Sequence, residues 1–220
     1  MAKVIPNKPL FIMLYGFPGA GKTSFARQLC EHLQAAHVHD DRIRAELFDS
    51  PRYDAQENAI ISQLTEYMTG EFLGAGISVV YDTNASRSVQ RQLWREMARR
   101  AHAQPILIWF QIDMESAYTR AMKRDRRRAD DKYAAPMDRK TFDASVGRMQ
   151  NPGINEEYIV VSGKHLFSTQ LSAVMKRLRE LNLIGLDDAS SRVAKPGMVN
   201  LVPNPTAGRV DMSRRNIIIR

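Results

Sequence analysis

The sequence predicts an α/β fold: a five-stranded parallel sheet with helices on both faces. Three observations carry this. Short apolar runs alternate with stretches of helical period, and strands separated by helices make parallel sheets. The first apolar run passes directly through a glycine-rich loop into a helix. The carboxylates Asp40, Asp41 and Asp82 follow later strand-like runs, at the carboxyl strand ends where such sheets bind ligands.

The elements follow in order. Leu10–Tyr15 reads as a buried strand and Thr23–Gln34 as a helix with apolar residues at helical spacing. Ala36–His39 is a short second strand, followed by helical stretches at Ile43–Leu47 and Ala55–Leu73. Ile77–Tyr81 is the third strand, Ser88–Ala101 a helix, and Pro105–Ile112 the fourth strand. Helices are expected over Glu115–Arg124 and Arg139–Met149, a fifth strand over Tyr158–Val161, and a last helix over Thr169–Leu181. The segment after Gly185 differs: it holds three prolines and many turn residues and lacks a helical period. Residues 1–185 therefore read as one domain and 186–220 as a tail or arm. Val199, Leu201, Val202 and the strand-like Ile217–Ile219 favour an arm packed on the body or on another subunit.

Composition narrows the class. A chain of 220 residues suffices for one such domain with a substantial core. Its single cysteine, Cys30, excludes an intrachain disulfide and points to a reducing compartment. No apolar run approaches the length of a membrane span, and the N-terminus has no cleavable signal pattern, so a cytoplasmic location is expected. The net charge of +8 suits a polyanionic partner such as nucleic acid, although many proteins are basic for other reasons.

The glycine-rich loop, G-F-P-G-A-G-K-T, matches the phosphate-binding pattern G-x-x-x-x-G-K-[ST] in full, within the strand–loop–helix context that pattern requires. Gly16, Gly19 and Gly21 let the backbone turn its N–H groups toward an anion, and the next helix adds its positive N-terminus. Lys22 reaches the β- and γ-phosphates of ATP, and the Thr23 hydroxyl ligates Mg²⁺. The candidate nucleotide-binding residues are Gly16, Phe17, Pro18, Gly19, Ala20, Gly21, Lys22, Thr23 and Ser24.

Later strand ends supply the rest. His39-Asp-Asp-Arg-Ile-Arg44 sets two carboxylates ahead of two arginines. A carboxylate there accepts a proton from an attacking hydroxyl, and an arginine holds a substrate phosphate. The competing reading makes Asp41 a helix N-cap. His37 and His39 alternate as a strand would, and with no third ligand nearby the pair favours a strand face over a metal site. Asp82 and Asn84 end the third strand: either the Asp82 carboxylate holds a Mg²⁺-bound water or an arginine of the site and Asn84 hydrogen-bonds backbone or substrate, or the two form an ordinary turn. Arg120, Lys123, Arg124, Arg126, Arg127 and Arg128 crowd one helix and its exit, with Arg120, Arg124 and Arg127 sharing a face. Such a run reads either as a solvated helix face or as part of a lid closing over phosphates at about 120–138.

Together the loop, D-D-R-I-R, V-V-Y-D-T-N and the arginine helix resemble the P-loop kinases related to bacteriophage polynucleotide 5′-hydroxyl kinase and, more distantly, zeta-toxin kinases. The resemblance covers about Leu10 to Met175. It implies a P-loop NTPase fold, adenylate-kinase-like with a lid. It implies Asp41 as general base, Arg44 as the acceptor-side phosphate contact, Asp82 as an essential site and metal residue, and Arg124 with Arg120 as lid arginines. Lys164 falls where relatives line the nucleotide base. The phage kinase's phosphatase domain has no counterpart here, and the tail matches no element of the family. The expected activity is ATP- and Mg²⁺-dependent phosphorylation of a hydroxyl, first of all a polynucleotide 5′-hydroxyl. A small-molecule kinase (sugar, nucleotide sugar or antibiotic) and an ATP-binding regulatory protein are the alternatives. Expected partners are the acceptor, nucleic acid among the possibilities, and a second subunit through the arm; no membrane is expected.

Overall fold

The computed structural model describes residues 2–185 apart from 128, 130, 135, 154 and 155. The expected arm, its strand at 217–219, the contacts of Arg128 and subunit association through the arm lie outside the described residues.

Five parallel strands form one sheet: β1 (Leu10–Gly16), β2 (Ala36–His39), β3 (Val79–Asn84), β4 (Gln104–Gln111) and β5 (Tyr158–Ser162). Their order is β2-β3-β1-β4-β5. The helices are α1 (Lys22–His32), α2 (Asp40–Leu47), α3 (Ala55–Gly74), α4 (Ser88–Arg100), α5 (Met114–Met122), α6 (Arg139–Gly147) and α7 (Phe167–Glu180). β1 lies at the sheet centre and is buried along its whole length. Its residues alternate between the two faces, which explains an unbroken apolar run instead of an alternating one. Leu10, Ile12 and Leu14 pack with Phe25 and Leu29 of α1 and Val174 and Leu178 of α7. Phe11, Met13 and Tyr15 pack on the other face with Leu73 of α3 and Trp94 of α4.

The differences from expectation are local. α2 starts at Asp40, three residues earlier than the period suggests, because both aspartates enter its first turn. α5 stops at Met122, with Lys123 as its C-cap. Arg124 and Arg127 therefore leave the helix, and the expected shared face with Arg120 does not form. Turns follow: the Asp125 amide donates to Asp131 and the Met137 amide to the Ala121 carbonyl, at 3.3 and 3.2 Å. No helix among the described residues is long and apolar enough to cross a membrane.

Candidate active site

The parallel order brings the exits of β1, β2 and β3 to one edge of the sheet, and one cavity of about 1090 Å³ opens there. That exceeds the usual pocket for a single small ligand, about 300–1,000 Å³. It has room for a nucleotide and a second reactant.

The loop after β1 forms the floor. Gly19 has φ +81°, and a Cβ there would lie 2.2 Å from the Ala117 carbonyl oxygen, so only glycine lets the loop pass under α5. Gly21, at φ +95°, is the N-cap of α1, and a Cβ there would meet nothing within 4 Å. No side chain caps α1 and no acidic residue sits in its first turn. Gly21, Lys22, Thr23 and Ser24 line the cavity, so the positive end of α1 faces it, the arrangement that takes phosphate. Phe17 and Ala20 turn their side chains into the core and contribute backbone only. Lys22 Nζ donates to the Gly16 and Phe17 carbonyls at 2.8 and 2.9 Å. Burial pulls its pKa down to about 8, against the opposing charge of Asp82. Ser24 and Pro18 line the same cavity.

Asp82 is buried at the end of β3 and accepts from Thr23 Oγ1 at 3.2 Å through Oδ1. Its other oxygen faces His37, not Arg44. Asp40 and Asp41 line the cavity beside it. The N-cap of α2 is His39, without a side-chain capping bond, and Asp40 Oδ1 accepts from the Asp41 amide at 2.8 Å. Asp41 is therefore not the cap. Burial, then the charges of Asp41 and Asp82, push Asp40 up to about 7. Burial also raises Asp41, against the pull of His39, Arg124 and Arg44. These crowded carboxylates with a hydroxyl form a hard-oxygen set that suits Mg²⁺, and their mutual repulsion leaves negative charge for a cation to neutralise.

Arg44 departs from the expected anion contact. It is buried, its Nη1 donates to Glu57 Oε1, and its Nη2 donates to Asn58 Oδ1 at 2.8 Å. Its guanidinium lies 4.7 Å over the Tyr53 ring. It ties α2 to α3, and its partner Asn58, not Arg44, lines the cavity. Burial would raise Glu57, but hydrogen bonds from Arg52, Arg44 and Tyr53 hold it below the usual carboxylate range.

Arg120 and Arg124 form the opposite wall. Arg120 Nη1 donates to the Gly163 carbonyl at 2.7 Å. The charge of Arg124 lowers the pKa of both Lys22 and Asp41, behind larger effects of burial. Lys164 also lines the cavity and pairs with Asp113 at 2.6 Å on the surface.

Two lining residues, Arg87 and Arg148, carry no sequence signal of their own. Arg87 follows D-T-N, but Arg148 arrives from the exit of α6. The fold joins them: the Gln150 amide donates to the Ser86 carbonyl at 2.8 Å, and Gln150 Oε1 accepts from Ser88 N and Oγ at the start of α4. Beneath this seam Arg91, fully buried, grips both oxygens of Glu156 and the Ala85 and Gln150 carbonyls. Among the described residues neither Arg87 nor Arg148 has an ion pair. Asn84 Oδ1 is buried near them without a hydrogen-bond partner among those residues.

This geometry of phosphate loop, strand-end carboxylates and arginine wall coincides with a family match. The family model AAA_33, described as an AAA domain, matches residues 11–152. The chain belongs to this AAA domain family. The AAA domain here has a P-loop kinase-like fold, and solved structures share it. A kinase described as putative from Chloroflexus aurantiacus superposes with a TM-score of 0.61 at 16% identity, over 79% of this chain and 97% of its own. The Mycobacterium tuberculosis APS kinase CysC, in complex with AMPPNP and APS, gives 0.54 at 16% identity, over 79% and 99%. The Pnkp1/Rnl/Hen1 RNA repair complex gives 0.54 at 21% identity, over 64% of this chain and 44% of that one. No curated protein matches the chain by sequence.

Proposed function

We propose that this AAA domain is an ATP-dependent kinase that transfers the γ-phosphate to a hydroxyl, with the 5′-hydroxyl of a polynucleotide as its acceptor. One observation carries the reading: Lys22 and the open phosphate loop share a single cavity with the paired carboxylates Asp40 and Asp41. A nucleotide-binding protein without an acceptor needs the first set and has no use for the second. The loop amides and Lys22 hold the ATP phosphates. Asp41 takes the proton of the acceptor hydroxyl as its oxygen attacks the γ-phosphorus and ADP departs. Arg124 and Arg120 offset the charge that develops on the transferred group, under a lid formed by residues 120–138. Thr23 and Asp82 would hold Mg²⁺, which neutralises phosphate charge when bound. Lys164 lies at the nucleotide end.

With Arg44 committed to Glu57, the acceptor's anionic group falls to Arg87 and Arg148, which line the cavity and have no ion pair among the described residues. Similarity to an RNA repair complex and the basic charge support a polynucleotide. A small anionic acceptor is the second reading, favoured by the likeness to APS kinase over nearly all of that chain's length. The test compares ADP formation by wild type, Arg87→Ala and Arg148→Ala with a 5′-hydroxyl oligonucleotide, a nucleoside 3′-phosphate and the bare nucleoside. Each arginine loss is expected to raise KM for the phosphorylated acceptors by about ten-fold or more, the value of one charge-assisted contact, and to spare KM for ATP. Unchanged KM in both variants would remove these arginines from the acceptor site.

A further inference from the structure

Phosphate transfer leaves one cluster unexplained. His37 and His39 are two apart on β2, so their side chains leave the same face of the strand. Their rings stack at 5.5 Å with 7° between planes. The sequence offers no third donor nearby, but the sheet supplies one: β2 pairs with β3 so that His39 stands opposite Asp82. Asp82 Oδ2 lies 3.1 Å from His37 Nε2 and 3.8 Å from His39 Nε2. One donor atom from each residue falls within 4.8 Å of the other two.

We propose that His37, His39 and Asp82 form a binding site for a divalent transition metal ion of the zinc class. A tetrahedral ion with donors at about 2.0–2.1 Å spaces them about 3.3 Å apart, which lies between these two separations. Two imidazoles with one carboxylate suit Zn²⁺ or Co²⁺, whereas Mg²⁺ takes oxygen donors and water. Three protein donors leave a fourth position, and His39 and Asp82 both line the cavity from which a water or anion reaches it. The ion takes Oδ2, while Oδ1 is the oxygen that faces Thr23 at 3.2 Å. Asp82 thus serves two sites with its two oxygens.

The test uses the full chain, stripped with chelator and titrated with Co²⁺ in excess Mg²⁺, read by the visible d–d absorption of cobalt. One Co²⁺ per chain is expected, displaced by Zn²⁺. His37→Ala should weaken it by at least ~10-fold, as loss of metal-site residues does, and Asp82→Asn likewise. His102→Asn, a change at an exposed turn histidine, should leave binding intact. Circular dichroism checks each fold, and His37→Gln carries the same comparison where His37→Ala does not fold. Absence of bound cobalt in the wild type overturns the site. So does binding that survives loss of His37, including binding that Asp41→Asn alone removes, which would put the ion on His39, Asp40 and Asp41. None of these readouts uses phosphate transfer, so a chain that binds cobalt but phosphorylates nothing refutes the kinase and leaves the metal site standing.

Discussion

Lys22 rests its ammonium on the Gly16 and Phe17 carbonyls, where a nucleotide phosphate would offer a stronger partner. Lys22→Ala is expected to abolish both tight ATP binding and transfer, measured by nucleotide titration and ADP release. Asp41→Asn separates the two: transfer should fall about 10²–10⁴-fold, the usual worth of a general base, with ATP affinity unchanged. Normal turnover in that variant would shift the role to Asp40, whose amide-linked neighbour position and raised pKa make it the next carboxylate. Both were legible as residues because an aspartate pair after a strand is a sequence pattern. Arg44 was misleading for a physical reason. Spacing put it one helical turn from Asp41, but spacing does not reveal that Glu57, thirteen residues on, captures its guanidinium.

At the scale of elements, Arg91 clamps the start of α4 to the segment ahead of β5. Burial alone would raise the Glu156 carboxyl; hydrogen bonds and charge from Arg91, with help from Arg95 and Gly153, outweigh it and hold the pKa at about 2. A carboxyl depressed in the folded state stabilises fully above its unfolded pKa and loses that contribution as pH falls toward the folded value. Glu156→Gln should therefore lower the melting temperature at pH 7, with the gap to wild type closing between about pH 5 and pH 2. Arg91→Ala should cost about 3–5 kcal/mol in urea unfolding, as breaking a buried pair does. It should also weaken acceptor binding, because the seam that brings Arg148 to Arg87 rests on it. None of this is visible in the sequence: Arg91 looks like one more charge on an exposed helix, and only the fold buries it. The central strand was readable because both sheet faces are covered there, which makes β1 an unbroken apolar run. The end of α5 was not, since arginine is a good helix former and nothing before Arg124 signals a stop.

At the scale of the whole molecule, the sheet order collects residues from Pro18 to Gln170 around one cavity with basic walls. If a polynucleotide lies in it, its affinity should fall linearly on a log–log plot against salt, with a slope near −0.7 for each phosphate contacted. Fluorescence anisotropy of a 5′-hydroxyl oligonucleotide measures that slope, and a flat line would favour a small acceptor. The parallel order and the motif positions were predictable from alternation and the loop. The wall proposed to face the acceptor was not, because Arg87 and Arg148 come from segments that only the tertiary structure brings to one cavity. The most direct measurement is transfer of label from γ-labelled ATP, with Mg²⁺, to a panel of 5′-hydroxyl DNA, RNA, nucleosides and sugars. A labelled acceptor, lost in Lys22→Ala and in Asp41→Asn, is the predicted result. Tight ATP binding with release of free phosphate and no labelled acceptor would contradict it.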